Sequence, residues 1–125
     1  MRTGSIILAL LSVVLSALAQ IALKAGMTAP LVQAAMRTSS PWRVFVAVSQ
    51  SWLVFVGLFA FGLSALVWLV VLARISLSAA YPLVALGIVI TTTAGVLFFG
   101  ENVSLLKSAG VVLIVAGVVA IALSI

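Results

Sequence analysis

The chain has 125 residues, of which 66% are hydrophobic and 6% charged, whereas a soluble domain carries about a quarter charged residues, so the composition predicts an integral membrane protein. With one acidic residue, no histidine and no cysteine, a single chain has no acid–base pair, metal-ligand cluster or disulfide, and we expect neither an enzyme nor a cofactor. The net charge of +5 does not indicate a nucleic-acid partner, because the six basic residues are scattered singly between apolar runs.

Four apolar runs are long enough to form membrane helices, which need about 20 predominantly apolar residues. They cover residues 5–23, 51–72, 77–99 and 105–124. The predicted fold is therefore an all-α membrane protein with four transmembrane helices. We expect a single domain with little chain outside the bilayer.

The end of the first run also matches a signal-peptide pattern. Arg2 precedes an apolar stretch, and Ala17-Leu18-Ala19 has the form of a cleavage motif. The apolar residues nevertheless continue through Leu23, and three further spans follow. This continuation favours a membrane helix over a cleaved leader.

Polar residues recur in the first run at intervals of four: Ser12, Ser16, Gln20 and Lys24. On a helix this spacing keeps them near one face. Because polar side chains inside a span must face protein, water or headgroups, the row predicts a polar track that leads to one membrane surface. In the alternative interpretation the serines bond to their own helix backbone, and Lys24 extends to the headgroups.

Residues 24–50 form the longest connection, and we expect part of it to lie along the membrane interface. Gly26 suits a helix end, and Pro30 and Pro41 suit the first turns of short helices. Three residues typical of the headgroup level follow: Trp42, Arg43 and Trp52. Alternatively, a helix from Pro41 runs unbroken to Leu72 and projects beyond the bilayer.

The other connections are short, with Gly100 suited to a helix end and Ser104 to an N-cap. The basic residues near the helix ends predict the orientation. On the side of the first and third loops they are Lys24, Arg37, Arg43 and Lys107, and on the other side Arg2 and Arg74. The positive-inside rule then places those loops in the cytoplasm and both termini outside. An excess of four over two also allows a dual topology.

The third span contains Pro82, which lacks an N–H and should bend the helix near Tyr81. Gly87 is a second candidate hinge. Tyr81 and Trp68 either line this bend or belong to an interfacial aromatic belt. Thr91, Thr92 and Thr93 are interpreted as packing residues.

The fourth span carries small residues at heptad-like spacing: Ala109, Gly110, Ala116 and Gly117. Small residues allow membrane helices to approach closely. We expect this surface to be a dimer contact, because four helices enclose little volume.

Lys24 and Glu101 end the first and third spans at the same membrane surface. They are expected either to form an ion pair or to take part in binding. In the second case Lys24 holds an anionic headgroup, while Glu101 tunes Lys24 or contacts an amine.

Several motifs in this order are similar to a known family: Gln20-x-x-x-Lys24, residues 66–72, Ala79–Leu83, Gly100–Ser104 and residues 110–119. Together they resemble the small multidrug resistance branch of the drug/metabolite transporter superfamily, and within it the flippase subunits for undecaprenyl-phosphate aminoarabinose. Exporters of this branch carry a membrane-embedded glutamate in the first helix, where this chain has Ser16. The resemblance implies a homodimer, or a heterodimer with a second four-helix subunit.

Three functions stay open at this point. The resemblance implies a flippase subunit of the bacterial inner membrane that moves an anionic polyprenyl-phosphate-linked sugar, with Lys24 and Arg43 or Arg74 holding the phosphate. A small-solute exporter for cationic drugs or polyamines would need a carboxylate in its pathway, and only Glu101 is available. A subunit without transport activity would instead support a partner through the fourth helix.

Overall fold

A computed structural model describes residues 2–124, with side chains from Thr3 onward. Every regular element in that range is a helix. In chain order they are α1 (Arg2–Met27), α2 (Pro30–Met36), α3 (Pro41–Ser49), α4 (Trp52–Arg74), α5 (Leu77–Phe99) and α6 (Leu105–Ser124). Four of them, α1, α4, α5 and α6, are long and apolar enough to cross a membrane. The predicted fold with four transmembrane helices is confirmed.

The helix ends follow the local sequence. Pro30 and Pro41 occupy the first positions of α2 and α3, where a missing N–H costs nothing. Gly100 ends α5 in the left-handed region, at φ 64°. Ser104 caps α6, since its hydroxyl oxygen accepts the backbone N–H of Lys107 at 3.0 Å.

The helix from Pro41 does not continue to Leu72, because α3 ends at Ser49 and α4 begins at Trp52. The backbone N–H of Ser51 bonds to the carbonyl oxygen of Val48 at 3.1 Å, which makes a turn between the two helices. The unbroken-helix alternative is therefore wrong. The two short helices α2 and α3 pack against each other beside the bundle.

The most extensive packing joins α1 and α4, which run antiparallel. Close approach depends on small residues in both helices. A Cβ added at Gly57 would lie 2.7 Å from Leu23 Cγ, and one added at Gly26 would lie 2.7 Å from Val54 Cγ2. Gly26 was predicted to end α1, but the helix continues to Met27. The structure gives Gly26 a packing role as well.

The helix α5 runs parallel to α1 and packs against it. Near the start of both helices, a small apolar cluster closes this end of the bundle: Ala9, Val71, Ala80 and Leu83. Pro82 lies within α5, which remains helical on both sides of it. The last helix, α6, packs mainly against α5, and Val118 is its one buried residue within the described chain.

Candidate functional site

A groove of about 340 Å³ lies between α1, α4 and α5. It exists because α4 and α5 both pack against α1 but make few contacts with each other. Much of the lining is apolar, but several lining residues carry hydroxyl, amide, indole or phenol groups. These belong to Ser12, Ser16, Gln20, Ser64, Trp68, Tyr81 and Thr91. No charged side chain is among the lining residues.

The groove brings together five residues that the sequence predicted for the site or its hinge: Ser16, Gln20, Trp68, Tyr81 and Gly87. Ser16 is half-buried and Gln20 is exposed, so both face the open side of α1. The rings of Trp68 and Tyr81 meet edge to face, with centroids 5.9 Å apart. The predicted polar track on α1 thus forms one wall of the groove, and this aromatic pair forms part of the opposite side.

Two further polar residues of the groove, Ser64 and Thr91, were not predicted for the site. Ser64 donates from its hydroxyl to the Phe61 carbonyl, and Thr91 donates to the Gly87 carbonyl. Ser64 is the single hydroxyl residue inside the apolar α4, and a polar residue isolated in a span is itself a signal of a protein-facing position. Thr91 is not isolated in this way, because Thr92 and Thr93 follow it directly in the sequence. The pattern therefore did not distinguish it from its neighbours.

Lys24 lies one helical turn beyond Gln20, at the membrane-surface end of the track. Its Nζ is 3.9 Å from Glu101 Oε2, and the two side chains are 52% and 48% exposed. The two side chains therefore form the predicted ion pair. This contact links the end of α1 to the loop between α5 and α6.

The remaining predicted residues lie elsewhere. Arg43 lines a separate groove of about 440 Å³ between α2 and α3, together with Trp42 and Gln50. Arg74 lies in the last turn of α4, at the surface opposite Lys24. Pro82 is not among the groove-lining residues, although its neighbour Tyr81 is.

The four small residues predicted for a dimer contact do not share one environment. Gly110 lines a groove of about 540 Å³ between α5 and α6. Ala109, Ala116 and Gly117 are exposed. A Cβ added at Gly117 would have no atom of the described residues within 4 Å, so this surface faces away from the rest of the chain.

Ser12 connects α1 to α4 by a hydrogen bond beside the groove. Ser12→Ala is therefore expected to lower the free energy of unfolding. The buried Ser12 hydroxyl donates to the Ser64 carbonyl across the α1–α4 interface at 2.8 Å. Hydrogen bonds between membrane helices contribute about 0.6 kcal/mol on average, and we expect a loss of this size in detergent unfolding experiments. Ser64→Ala is the control, because it removes only a bond within α4. Equal losses from both variants would contradict this role of Ser12.

Comparison with known proteins found bacterial relatives that share one name. Over 83 residues the chain is 42% identical to the "Probable 4-amino-4-deoxy-L-arabinose-phosphoundecaprenol flippase subunit ArnE" of Pseudomonas aeruginosa, a match covering 66% of this chain and 63% of the relative. The Yersinia pseudotuberculosis protein of that name is 34% identical over 86 residues, or 69% and 75% of the two chains. The Pseudomonas syringae protein is 37% identical over 75 residues, or 60% and 67%.

The chain thus matches slightly less than two thirds of the length of the Pseudomonas aeruginosa relative. No protein-family model matches the chain. No solved structure matches it either.

Proposed function

We propose a function from one premise, which is that this chain belongs to the family of the flippase subunits ArnE. The family predicted from the sequence motifs is confirmed, and the chain is a multi-pass protein of the bacterial inner membrane. On this premise, the chain is one subunit of a flippase that moves an anionic polyprenyl-phosphate-linked sugar between the leaflets. The relatives are named as flippase subunits for such a lipid, one that carries an amino sugar.

The groove between α1, α4 and α5 is the observation that carries this proposal. A sugar headgroup in hydrocarbon loses its hydrogen bonds to water, at a cost of several kcal/mol for each unsatisfied group. Hydroxyl, amide, indole and phenol groups along the groove replace part of these bonds. The groove is open on one side, so the polyprenyl tail stays in the lipid while the headgroup is sheltered.

The uncharged lining of the groove favours a lipid-linked sugar over a free cationic drug or polyamine. Among the groove residues none carries a carboxylate, and Glu101 lies at the membrane surface beside Lys24. The position of Ser16, where the related exporters carry an acid, faces this same neutral groove. The structure therefore offers no observation that favours cation export.

Lys24 is the cation best placed to hold the lipid phosphate. Its side chain is half exposed at the end of the polar track, and an ammonium group with three donors forms strong, charge-assisted hydrogen bonds to phosphate oxygens. Arg43 and Arg74 lie away from the groove. We therefore leave both arginines out of the proposed phosphate site.

Headgroup translocation in proteoliposomes tests this function. The chain, together with any subunit that co-purifies from native membranes, is reconstituted with undecaprenyl phosphate carrying the amino sugar. Headgroups reaching the opposite leaflet are counted with a membrane-impermeant amine reagent. Lys24→Ala is expected to reduce the rate about tenfold, since a hydrogen bond to a charged group is worth about 1.5–3 kcal/mol.

Arg37→Ala is the matched control, because it removes the same charge from an exposed residue near the same surface. This variant should translocate at the rate of the unmodified protein. If Lys24→Ala also translocates at that rate, Lys24 has no part in the mechanism. If the unmodified protein translocates no headgroup, the proposed function itself is wrong.

A second subunit is part of the proposal. The four helices leave the groove open on one side, and the exposed small residues of α6 provide a surface for another helix: Ala109, Ala116 and Gly117. The partner is a second copy of this chain or a different four-helix subunit.

A further inference from the structure

The ion pair between Lys24 and Glu101 is loose. At 3.9 Å the Nζ–Oε2 distance is longer than a hydrogen bond, and about half of each side chain is exposed. Exposed ion pairs of this kind contribute little to stability. Opening the pair to admit a ligand therefore costs the fold little.

The Glu101 side chain nevertheless lies against the end of α5. The backbone N–H groups of Gly100 and Glu101 both donate to the Gly95 carbonyl, the second at 3.0 Å. Gly95 lacks a side chain where the carboxylate lies, and a Cβ added there would be 2.5 Å from Glu101 Oε1. The Glu101 carboxylate thus lies in the space left by the missing side chain of Gly95.

Glu101 also has polar neighbours in a largely apolar groove. It lines the groove of about 540 Å³ between α5 and α6, together with Asn102 and Lys107. Thr91 and Ile88 line both this groove and the one between α1, α4 and α5. The two grooves therefore adjoin along α5, with Glu101 on the second groove and Lys24 beside Glu101.

We propose that Glu101 recognises the protonated amino group of the sugar headgroup, which makes it the residue that selects amino-sugar lipids. This inference rests on the proposed function. A phosphate bound at Lys24 comes near the Glu101 carboxylate, since 3.9 Å separate that carboxylate from the Lys24 Nζ, and the two negative charges repel each other. An ammonium group on the same headgroup removes the repulsion and forms a charge-assisted hydrogen bond to Glu101.

The selection has a simple electrostatic basis. In the free protein the charges of Lys24 and Glu101 offset each other. A bound headgroup with one phosphate and one ammonium group offsets each of these charges separately. The same lipid with its amine acylated brings only the negative charge. The acylated lipid places its phosphate near Glu101 without an ammonium group to offset the repulsion. It is therefore bound less well.

Competing translocation of two lipids tests the inference. Proteoliposomes receive undecaprenyl phosphate carrying the amino sugar and the same lipid N-acetylated, each with a distinct isotope label in the sugar. Chemical trapping of the sugar hydroxyls that reach the far leaflet counts both. The unmodified protein is expected to prefer the amino form about tenfold, as one charged hydrogen bond allows. Glu101→Gln should bring this preference close to one without slowing the N-acetylated lipid.

Gly95→Ala provides a second variant that keeps the charge. The added Cβ displaces the carboxylate, which is the far end of a flexible side chain, so the preference should fall while the protein still folds. Gly62→Ala is the matched control, because a Cβ there meets no described atom within 4 Å. It should retain the full preference.

The outcomes separate this inference from the proposed function. If the unmodified protein moves both lipids at equal rates, Glu101 does not select the amine although the flippase function stands. If Glu101→Gln slows both lipids by the same factor, Glu101 only positions Lys24, and the inference is wrong. If neither lipid is translocated, the proposed function is wrong, and the inference about Glu101 is wrong with it.

Discussion

Gly57→Ala is expected to lower the free energy of unfolding by about 2 kcal/mol, within the range of about 1–3 kcal/mol that overpacking usually costs. The added Cβ would lie 2.7 Å from Leu23 Cγ and 3.0 Å from the Ala19 carbonyl oxygen. The Leu23 side chain can change its rotamer, but the Ala19 carbonyl belongs to the backbone of α1. The two helices must therefore move apart, along the most extensive interface of the bundle.

Gly62→Ala controls for the intrinsic effect of replacing glycine by alanine in α4. It lies five residues further along the same helix and faces open space. Unfolding in mixed detergents, followed by circular dichroism, should show a loss for Gly57→Ala and none for Gly62→Ala. Equal stabilities of the two variants would mean that α1 and α4 do not approach as closely as the structure shows.

Gly26→Ala tests the same interface at its other end. Its Cβ would lie 2.7 Å from Val54 Cγ2 and 3.0 Å from the Val54 backbone nitrogen. The second contact again involves backbone, so rotation of one side chain does not relieve it. A loss of similar size to that of Gly57→Ala is expected from the same measurement.

The number and type of the membrane helices were predictable from the sequence, because span length and apolar composition are properties of each segment alone. The break between α3 and α4 was left open for a physical reason. Gln50 and Ser51 are neither glycine nor proline, and the turn that they form is stabilised by backbone hydrogen bonds such as Ser51 N–H to the Val48 carbonyl. The sequence pattern does not display bonds of this kind.

The α1 side of the candidate site was predictable as well. A row of polar residues at intervals of four keeps to one face of an apolar helix, and the structure places Ser12, Ser16 and Gln20 in the groove. Charge alone did not indicate where Arg43 lies, since its position depends on how α2 folds against α3. The contact between Gly95 and the Glu101 side chain could not be predicted either, because it depends on the path of the chain after Gly100.

Gly117→Leu is expected to abolish assembly with the partner subunit, and with it headgroup translocation. Between membrane helices there is no hydrophobic driving force, so association depends on close packing at small residues. In the proposed assembly, a leucine side chain at Gly117 would separate backbones that the glycine allows to meet. It does not disturb its own chain, since a Cβ there has no described atom within 4 Å.

Energy transfer between labelled copies measures this assembly directly. The sequence contains no cysteine, so one cysteine introduced at the exposed Thr28 carries either a donor or an acceptor dye. Co-reconstituted donor and acceptor copies report a homodimer, and a labelled second four-helix subunit reports a heterodimer. Gly117→Leu should lose the transfer signal in whichever pairing the unmodified protein shows.

Val119→Leu is the control for this substitution. Val119 follows Gly117 by two residues, which places it on nearly the opposite face of the helix. Its side chain is 50% exposed. A leucine at that position enlarges the surface of α6 away from Gly117, so the transfer signal and translocation should both persist. If Gly117→Leu keeps its transfer signal, α6 does not form the subunit contact through this surface, and the proposed role of Gly117 is wrong.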